Sequence, residues 1–261
     1  MNLLQTKINN NTIYTLSNDW SGSSIHNGTL WEPHVTKFLQ RNLLNNSVLI
    51  DVGSNYGYHS INSSSLCHLI YSFEPQKYIH DIQLKSIEYN NIHNIKLFNY
   101  AIGHYNGQTK MSAIDYDHPS IHMGDLSIGT NGESVDIRTL DSIDIPYANF
   151  IKIDVQGYEK YVLEGASTLI SNHYPIIIIE IEEHQLARFN YGAKHLFDIL
   201  KKLGYYIYFL DYHYPSDHVC VHQSCLQDFI SKNHAFIQNL TEDNNLNHNI
   251  QHGIKEKIIM K

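Results

Sequence analysis

The chain has 261 residues, 18 Lys and Arg against 26 Asp and Glu, a net charge of -8, and 42% apolar against 17% charged residues. That length suits one well-buried domain with trimmings rather than two large domains and a linker. The acid excess excludes a phosphate-tracking surface, which needs clustered Lys and Arg, so no nucleic-acid partner is expected.

In chain order, residues 1–46 are polar and aromatic with weak periodicity, and they read as an N-terminal lid or preface ending in a helix from His34 to Leu44. The first residues lack the apolar core of a signal peptide, and no later run approaches the roughly 18 apolar residues of a membrane helix. A soluble, cytoplasmic protein without a membrane partner is expected. A domain from 47 to 235 follows. Val48-Leu-Ile50 stops at Asp51 and a Gly-rich turn, as a buried parallel strand feeding a helix would. His68 to Phe73 is the next strand, a helix-like stretch runs to about Tyr89, and Ile95 to Tyr100 is the third strand. Between Gly107 and Asp144 the alternation lapses into Gly, Ser, Thr and Asp, with strand-like pieces at Gln108 to Ala113 and Ser134 to Leu140, an inserted hairpin or flap.

Alternation resumes with Phe150 to Asp154, a helix from about Tyr158 to Ile170, and the β-branched run Pro175 to Ile181, which suits a central strand covered on both faces. A helix from Ala193 to Leu203, strands at Tyr205 to Leu210 and His218 to His222, and a short helix from Leu226 to His234 complete about seven core strands. The fold expected is a doubly wound, mostly parallel α/β sheet with its ligand crevice at the carboxyl ends of the strands. The tail from 236 to 261 is polar, and it reads as a solvated end unless it docks as a helix. Cys67, Cys220 and Cys225 show neither metal-ligand pairing nor a disulfide framework and fit a reducing compartment. The 18 scattered histidines read as surface or packing residues.

Asp51, Glu74, Asp154 and Glu180 each close a strand, and the chemistry is expected there. In Asp51-Val-Gly-Ser-Asn-Tyr-Gly57 an acid precedes glycines spaced G-x-x-x-G, unlike a hydride-transfer fingerprint. Gly53 and Gly57 let the backbone pass close under a ligand, and the helix beginning near Tyr58 points free amides toward an anionic end. Asp51 can accept from an ammonium or from loop amides. Glu74, roughly 20 residues on, can take both hydroxyls of a ribose. Read alone, the glycines make an ordinary tight turn, Glu74 a solvated strand end and Trp31 a core aromatic rather than an adenine-stacking one. Glu32 is placed to reach the amino-acid end of the ligand.

Asp51 to Ser60, Phe73-Glu-Pro75, Asn99-Tyr-Ala-Ile-Gly103, Thr139 to Ser142, and Ile151 to Glu159 together resemble the FkbM family of methyltransferases, from about Trp31 to about Gln223. The resemblance implies a class I methyltransferase (Rossmann-like) fold and S-adenosylmethionine as cofactor, held around Glu32, Asp51, Gly53, Asn55, Gly57, Tyr58, Glu74, Pro75, Asn99, Ala101 and Asp154. It also implies an acceptor hydroxyl on a sugar, a glycan or a glycosylated or polyketide product. Gln156 departs from the family's usual Glu, and Ser54 from its frequent Ala.

Methyl transfer requires holding the acceptor oxygen in line with the methyl carbon and helping it lose its proton. Asp154 reads as that base, or as a ligand with Glu180 for a divalent cation, Mg or Mn. Glu180 and His184 complete either arrangement. The alternatives are a helix cap for Asp154 and a surface residue for His184, while Glu159 and Glu164 are expected on a solvated helical face. Competing functions are a class I methyltransferase acting on a small phenol, a nitrogen or a protein side chain, and a non-catalytic scaffold. A nicotinamide-dependent oxidoreductase comes third.

Overall fold

The structure, a computed structural model, describes residues 2–28, 30–112, 126–129, 131–211 and 214–233. Strands β1 (Leu3–Ile8) and β2 (Asn11–Leu16) form an antiparallel hairpin. It turns at Asn9, which takes a left-handed φ of 54°. Asn tolerates that conformation because its short polar side chain bonds locally. Two short helices follow, α1 (Trp20–His26) and α2 (Pro33–Asn42). The segment read as a preface therefore opens with a hairpin. The hairpin buries Ile8, Ile13, Tyr14 and Leu16 against Ile61, Ile79 and Ile82, contacts that lie far along the chain.

The central layer comprises β3 (Val48–Val52), β4 (Leu69–Phe73), β5 (Ile95–Phe98), β9 (Phe150–Ile153), β10 (Ile176–Glu180), β11 (Tyr205–Asp211) and β12 (Tyr214–His222). These make one seven-stranded sheet in the order β11-β12-β10-β9-β3-β4-β5, and only β12 runs against its neighbours. The helices are α3 (Tyr58–Ser63), α4 (Lys77–Tyr89), α5 (Glu159–Glu164), α6 (Ser167–His173), α7 (Glu183–Leu186), α8 (Ala193–Lys202) and α9 (Leu226–Lys232). This is the doubly wound α/β fold expected. Asn90 of the α4 C-terminus holds the hairpin, accepting from the Thr12 amide at 2.7 Å and donating to the Thr12 carbonyl, and Ser86 accepts from the Tyr14 amide at 3.0 Å.

The pleat sends alternate residues to opposite faces. Val48, Ile50, Ile151, Ile177 and Ile179 pack with Val162, Leu169 and Leu196 of the α5, α6 and α8 layer. Leu49, Phe150, Ile178 and Val219 pack against Val35 and Phe38 of α2 and Phe229 of α9. On this second face, toward the carboxyl ends of the parallel strands, the same parity brings up Asp51, Lys152, Glu180 and Asp217. The apolar row thus gives way to a charged one beneath the start of α2.

Strands β6 (Ala101–Ile102), β7 (Gly107–Lys110) and β8 (Ser134–Arg138) form a separate three-stranded sheet. The expected flap is this β7–β8 pair, extended by β6, which runs parallel to β8. The rest of the flap, residues 113–125 and 130, and the tail lie outside the described residues. No helix among the described residues is long and apolar enough to cross a membrane. The cysteines are free.

One expectation is corrected. Glu164 is exposed, but Glu159 is completely buried rather than solvated. Its Oε1 accepts from the amides of Val155 at 3.2 Å and Gly157 at 3.1 Å, so the carboxylate turns back to satisfy a loop that has no ladder partner.

Candidate active site

The turn after β3 is built by two glycines in the left-handed region, Gly53 (φ 81°) and Gly57 (φ 77°). A Cβ on Gly53 would run into the Asp154 carbonyl oxygen, so the ends of β3 and β9 meet only because no side chain intervenes. The amides of Gly53 and Ser54 donate to the Phe73 carbonyl at 3.1 and 3.0 Å, tying the turn to the end of β4. Just beyond, Glu74 accepts from the Asn55 amide at 3.0 Å through Oε2 and from the Gln76 amide at 2.9 Å through Oε1. Burial, with the charges of Asp51 and Asp154 behind it, pushes the Glu74 carboxyl up to about 7 against the pull of those two amides.

Asp51 is buried and accepts from Ser60 Oγ at 2.5 Å. A chain of polar side chains backs it: Ser60 to Ser72, Gln83 to Ser72, and Ser54 to Gln83. Asn99 donates to the carbonyls of Glu74 and Pro75, both at 3.0 Å, and so fixes the turn that carries Glu74.

A second polar cluster lies at the ends of β9 and β10. Asp154 Oδ2 accepts from Lys152 Nζ at 3.1 Å, and Oδ1 from Gln156 Nε2 at 2.9 Å. The same Gln156 nitrogen donates to Glu180 Oε2 at 2.9 Å, while Gln156 Oε1 accepts from Gln185 Nε2 at 2.7 Å. Lys152 is buried, and burial by itself would loosen its hold on the proton. The carboxylates of Asp154, Glu32, Asp51 and Asp217 overcome that and hold it firmly charged. Glu32, at the left-handed start of α2, bonds His59 Nε2 at 2.8 Å. Burial would raise its carboxyl, but Lys152 and His59 bring it down to about 2. Glu180 moves the other way, lifted well above the usual carboxylate range by burial and by the charges of Asp154, Asp217 and Glu32. His34 and Asp217 are hydrogen-bonded beside it.

One cavity of about 670 Å³ joins the two clusters. Of the residues expected to form the site, Glu32, Gly53, Asn55, Tyr58, Glu74, Pro75, Ala101, Asp154, Glu180 and His184 line it. Asp51, Gly57 and Asn99 stand behind that wall. His184 lies on the rim with a side chain 68% exposed, 3.2 Å from Glu182. Sequence reasoning missed Lys152, Gln76, His34 and Trp20, all in the wall. Lys152 carried a signal: it is the one charged residue inside the strand Phe150-Ile-Lys-Ile153, and a cation on a doubly covered strand needs partners.

The first cluster fits a cofactor that brings hydrogen-bond donors. Among the described residues, Asn55 Oδ1 and Gln76 Oε1 in the wall, and Asp51 Oδ1 behind it, are buried acceptors without a partner, and such atoms are rare unless something else satisfies them. A divalent cation bridging Asp154 and Glu180 does not fit the arrangement present, because Gln156 Nε2 sits between their facing oxygens, 2.9 Å from each, and the Lys152 ammonium faces the other Asp154 oxygen. Among the described residues no group of three or more His, Cys, Asp or Glu is arranged to hold a metal ion.

Residues 51–207 match the family model described as the methyltransferase FkbM domain. Nothing among the curated proteins matches the chain. Among solved structures the chain is similar to the methyltransferase FkbM from Methylobacillus flagellatus KT, at 16% identity and a TM-score of 0.48, over 69% of this chain and 44% of that one. The chain thus spans less than half the length of that relative. An rRNA methylase from Streptococcus thermophilus is similar at 13% identity and a TM-score of 0.45, over 76% of this chain and 95% of that one. TYW2 of M. jannaschii in complex with AdoMet is similar at 14% identity and a TM-score of 0.45, over 84% of each chain.

Proposed function

Because this chain belongs to the FkbM methyltransferase family, we propose that it transfers a methyl group from S-adenosylmethionine to a hydroxyl of a sugar, a glycan or a glycosylated product. One observation carries the acceptor class. The same cavity wall that holds Asp154 is rich in carboxylates, with Glu32, Glu180, Glu182 and Asp211, and it carries Trp20 and Trp31, which meet edge to face at 5.5 Å between ring centroids. Carboxylates accept from hydroxyls, and aromatic faces suit the apolar faces of a sugar ring.

In this reading the turn from Gly53 to Asn55 and the Glu74 carboxylate hold the cofactor, with Glu74 taking the ribose hydroxyls. Bound there, the cofactor supplies a methyl group on a sulfonium, which leaves with its bonding electrons on sulfur. The Asp154–Gln156–Glu180 bridge orients the acceptor hydroxyl, whose oxygen would take the methyl carbon as its bond to sulfur is given up. Asp154, the base expected from sequence, and Glu180 are the two carboxyl groups at this end of the cavity, and the ionised one of the pair receives the proton the hydroxyl loses.

The test is incubation with methyl-labelled cofactor and a panel of free sugars, glycans, small phenols and unmodified proteins, followed by mass analysis. Label on a carbohydrate hydroxyl is expected. Label landing only on phenols, nitrogens or proteins would overturn the acceptor assignment, and failure to bind S-adenosylhomocysteine in calorimetry would overturn the cofactor.

A further inference from the structure

A cation bridging Asp154 and Glu180 would lie between the two carboxylate oxygens that face each other, Asp154 Oδ1 and Glu180 Oε2. That place is held by Gln156 Nε2, 2.9 Å from each. The amide is oriented that way by its other end, where the oxygen accepts from Gln185 Nε2 at 2.7 Å. The backbone commits to the same end: Gln156 is buried in the left-handed region at φ 57°, a conformation that is unfavourable for a residue with a Cβ. The other Asp154 oxygen faces the Lys152 ammonium at 3.1 Å, which is itself hemmed in by Glu32, Asp51 and Asp217.

We propose that Gln156 and Lys152 together take the place of a divalent cation at the acceptor end of the cavity, so that the chain positions its acceptor hydroxyl without one. The amide bridges the two carboxylates as a cation would, and Lys152 supplies the fixed positive charge. Gln156 is therefore a positioning residue, and a carboxylate in its place would give the cluster three acids and convert it to a cation site of the oxygen-rich kind that Mg and Mn prefer. The inference rests on the methyltransferase reading for its functional meaning, but its test does not.

The experiment is Mn²⁺ titration of the full chain followed by electron paramagnetic resonance, with S-adenosylhomocysteine binding measured by calorimetry on the same samples. Wild type is expected to leave Mn²⁺ free up to roughly millimolar, outside the range of a built carboxylate site. Gln156→Glu is expected to bind one Mn²⁺ per chain at least roughly ten-fold more tightly than wild type, and to lose it when Glu180→Gln is added. Stoichiometric Mn²⁺ uptake by wild type that Asp154→Asn abolishes would overturn the proposal. So would a folded Gln156→Glu variant that binds no better than wild type. Should that variant fail to fold, the wild-type titration decides. Failure of S-adenosylhomocysteine to bind would remove the methyltransferase reading and leave the cation result standing.

Discussion

Asp51 on β3 and Lys152 on β9 are register partners on adjacent parallel strands. The pairing puts an ammonium and a carboxylate on one sheet face, in the row where Leu49 and Phe150 make apolar core one step earlier. Lys152 is the hub, with Asp154, Glu32, Asp51 and Asp217 around it. Lys152→Met leaves these acids without their shared cation, and breaking a buried pair by removing one partner costs on the order of 3–5 kcal/mol. Urea unfolding should show a midpoint lowered accordingly. A loss under about 1 kcal/mol, the worth of an exposed pair, would mean that water already solvates the cluster.

Gly53→Ala is expected to damage fold and binding together. The left-handed backbone alone costs about 1–2 kcal/mol, and the new methyl group must also displace the Asp154 carbonyl. Gly28→Ala is the control, since Gly28 has a φ of 80° and open space around its would-be Cβ. The Gly53 variant should melt at a lower temperature than the Gly28 variant and lose affinity for S-adenosylhomocysteine. Equal melting of the two would remove the close approach from the account.

Glu74 ties cofactor binding to pH. Its buried carboxyl is held up to about 7, whereas ribose hydroxyls donate to the ionised form. Calorimetric affinity for S-adenosylhomocysteine should therefore rise as pH increases through about 7 and level off above it. Glu74→Gln should flatten the profile and weaken binding, because an amide NH₂ would then oppose the Asn55 or Gln76 N–H. A wild-type profile flat from pH 5 to 8 would count against the assignment.

Glu159 ties stability to pH with a definite sign. Its folded carboxyl is raised to about 7 by burial, above its unfolded value near 4.5. Between those values the folded chain binds more protons, so this group's contribution falls as pH rises, and the loss is complete above about 7. Glu159→Gln removes the linkage while keeping an oxygen for the amides of Val155 and Gly157. Its melting temperature relative to wild type should thus be more favourable at pH 8 than at pH 5. His218, held neutral by burial down to about 4, opposes the trend but is common to both chains and cancels.

The strand ends were legible in the sequence because a buried parallel strand is a continuous apolar run, and Asp51, Glu74, Asp154 and Glu180 each interrupt one. The hairpin from Leu3 to Leu16 was not, because its anchors are Ser86 and Asn90, more than seventy residues away. The Asn9-Asn10 step was its only local mark. Glu159 was misread for a related reason: an acid at the first turn of a helix looks solvated until the loop it caps is known to be buried.

By itself the sequence determined the strands of the central sheet, their order along the chain, the family and which acids end the strands, since these depend on patterns within a few residues or on motifs read in line. Only the tertiary structure decided which charges meet. Register sets Lys152 against Asp51, and two left-handed turns, at Gly53 and Gln156, set the spacing of the clusters. Packing sends Glu32 and Glu180 to opposite protonation behaviour although both are buried carboxyls, because Glu32 has Lys152 and His59 as partners while Glu180 sits among other acids.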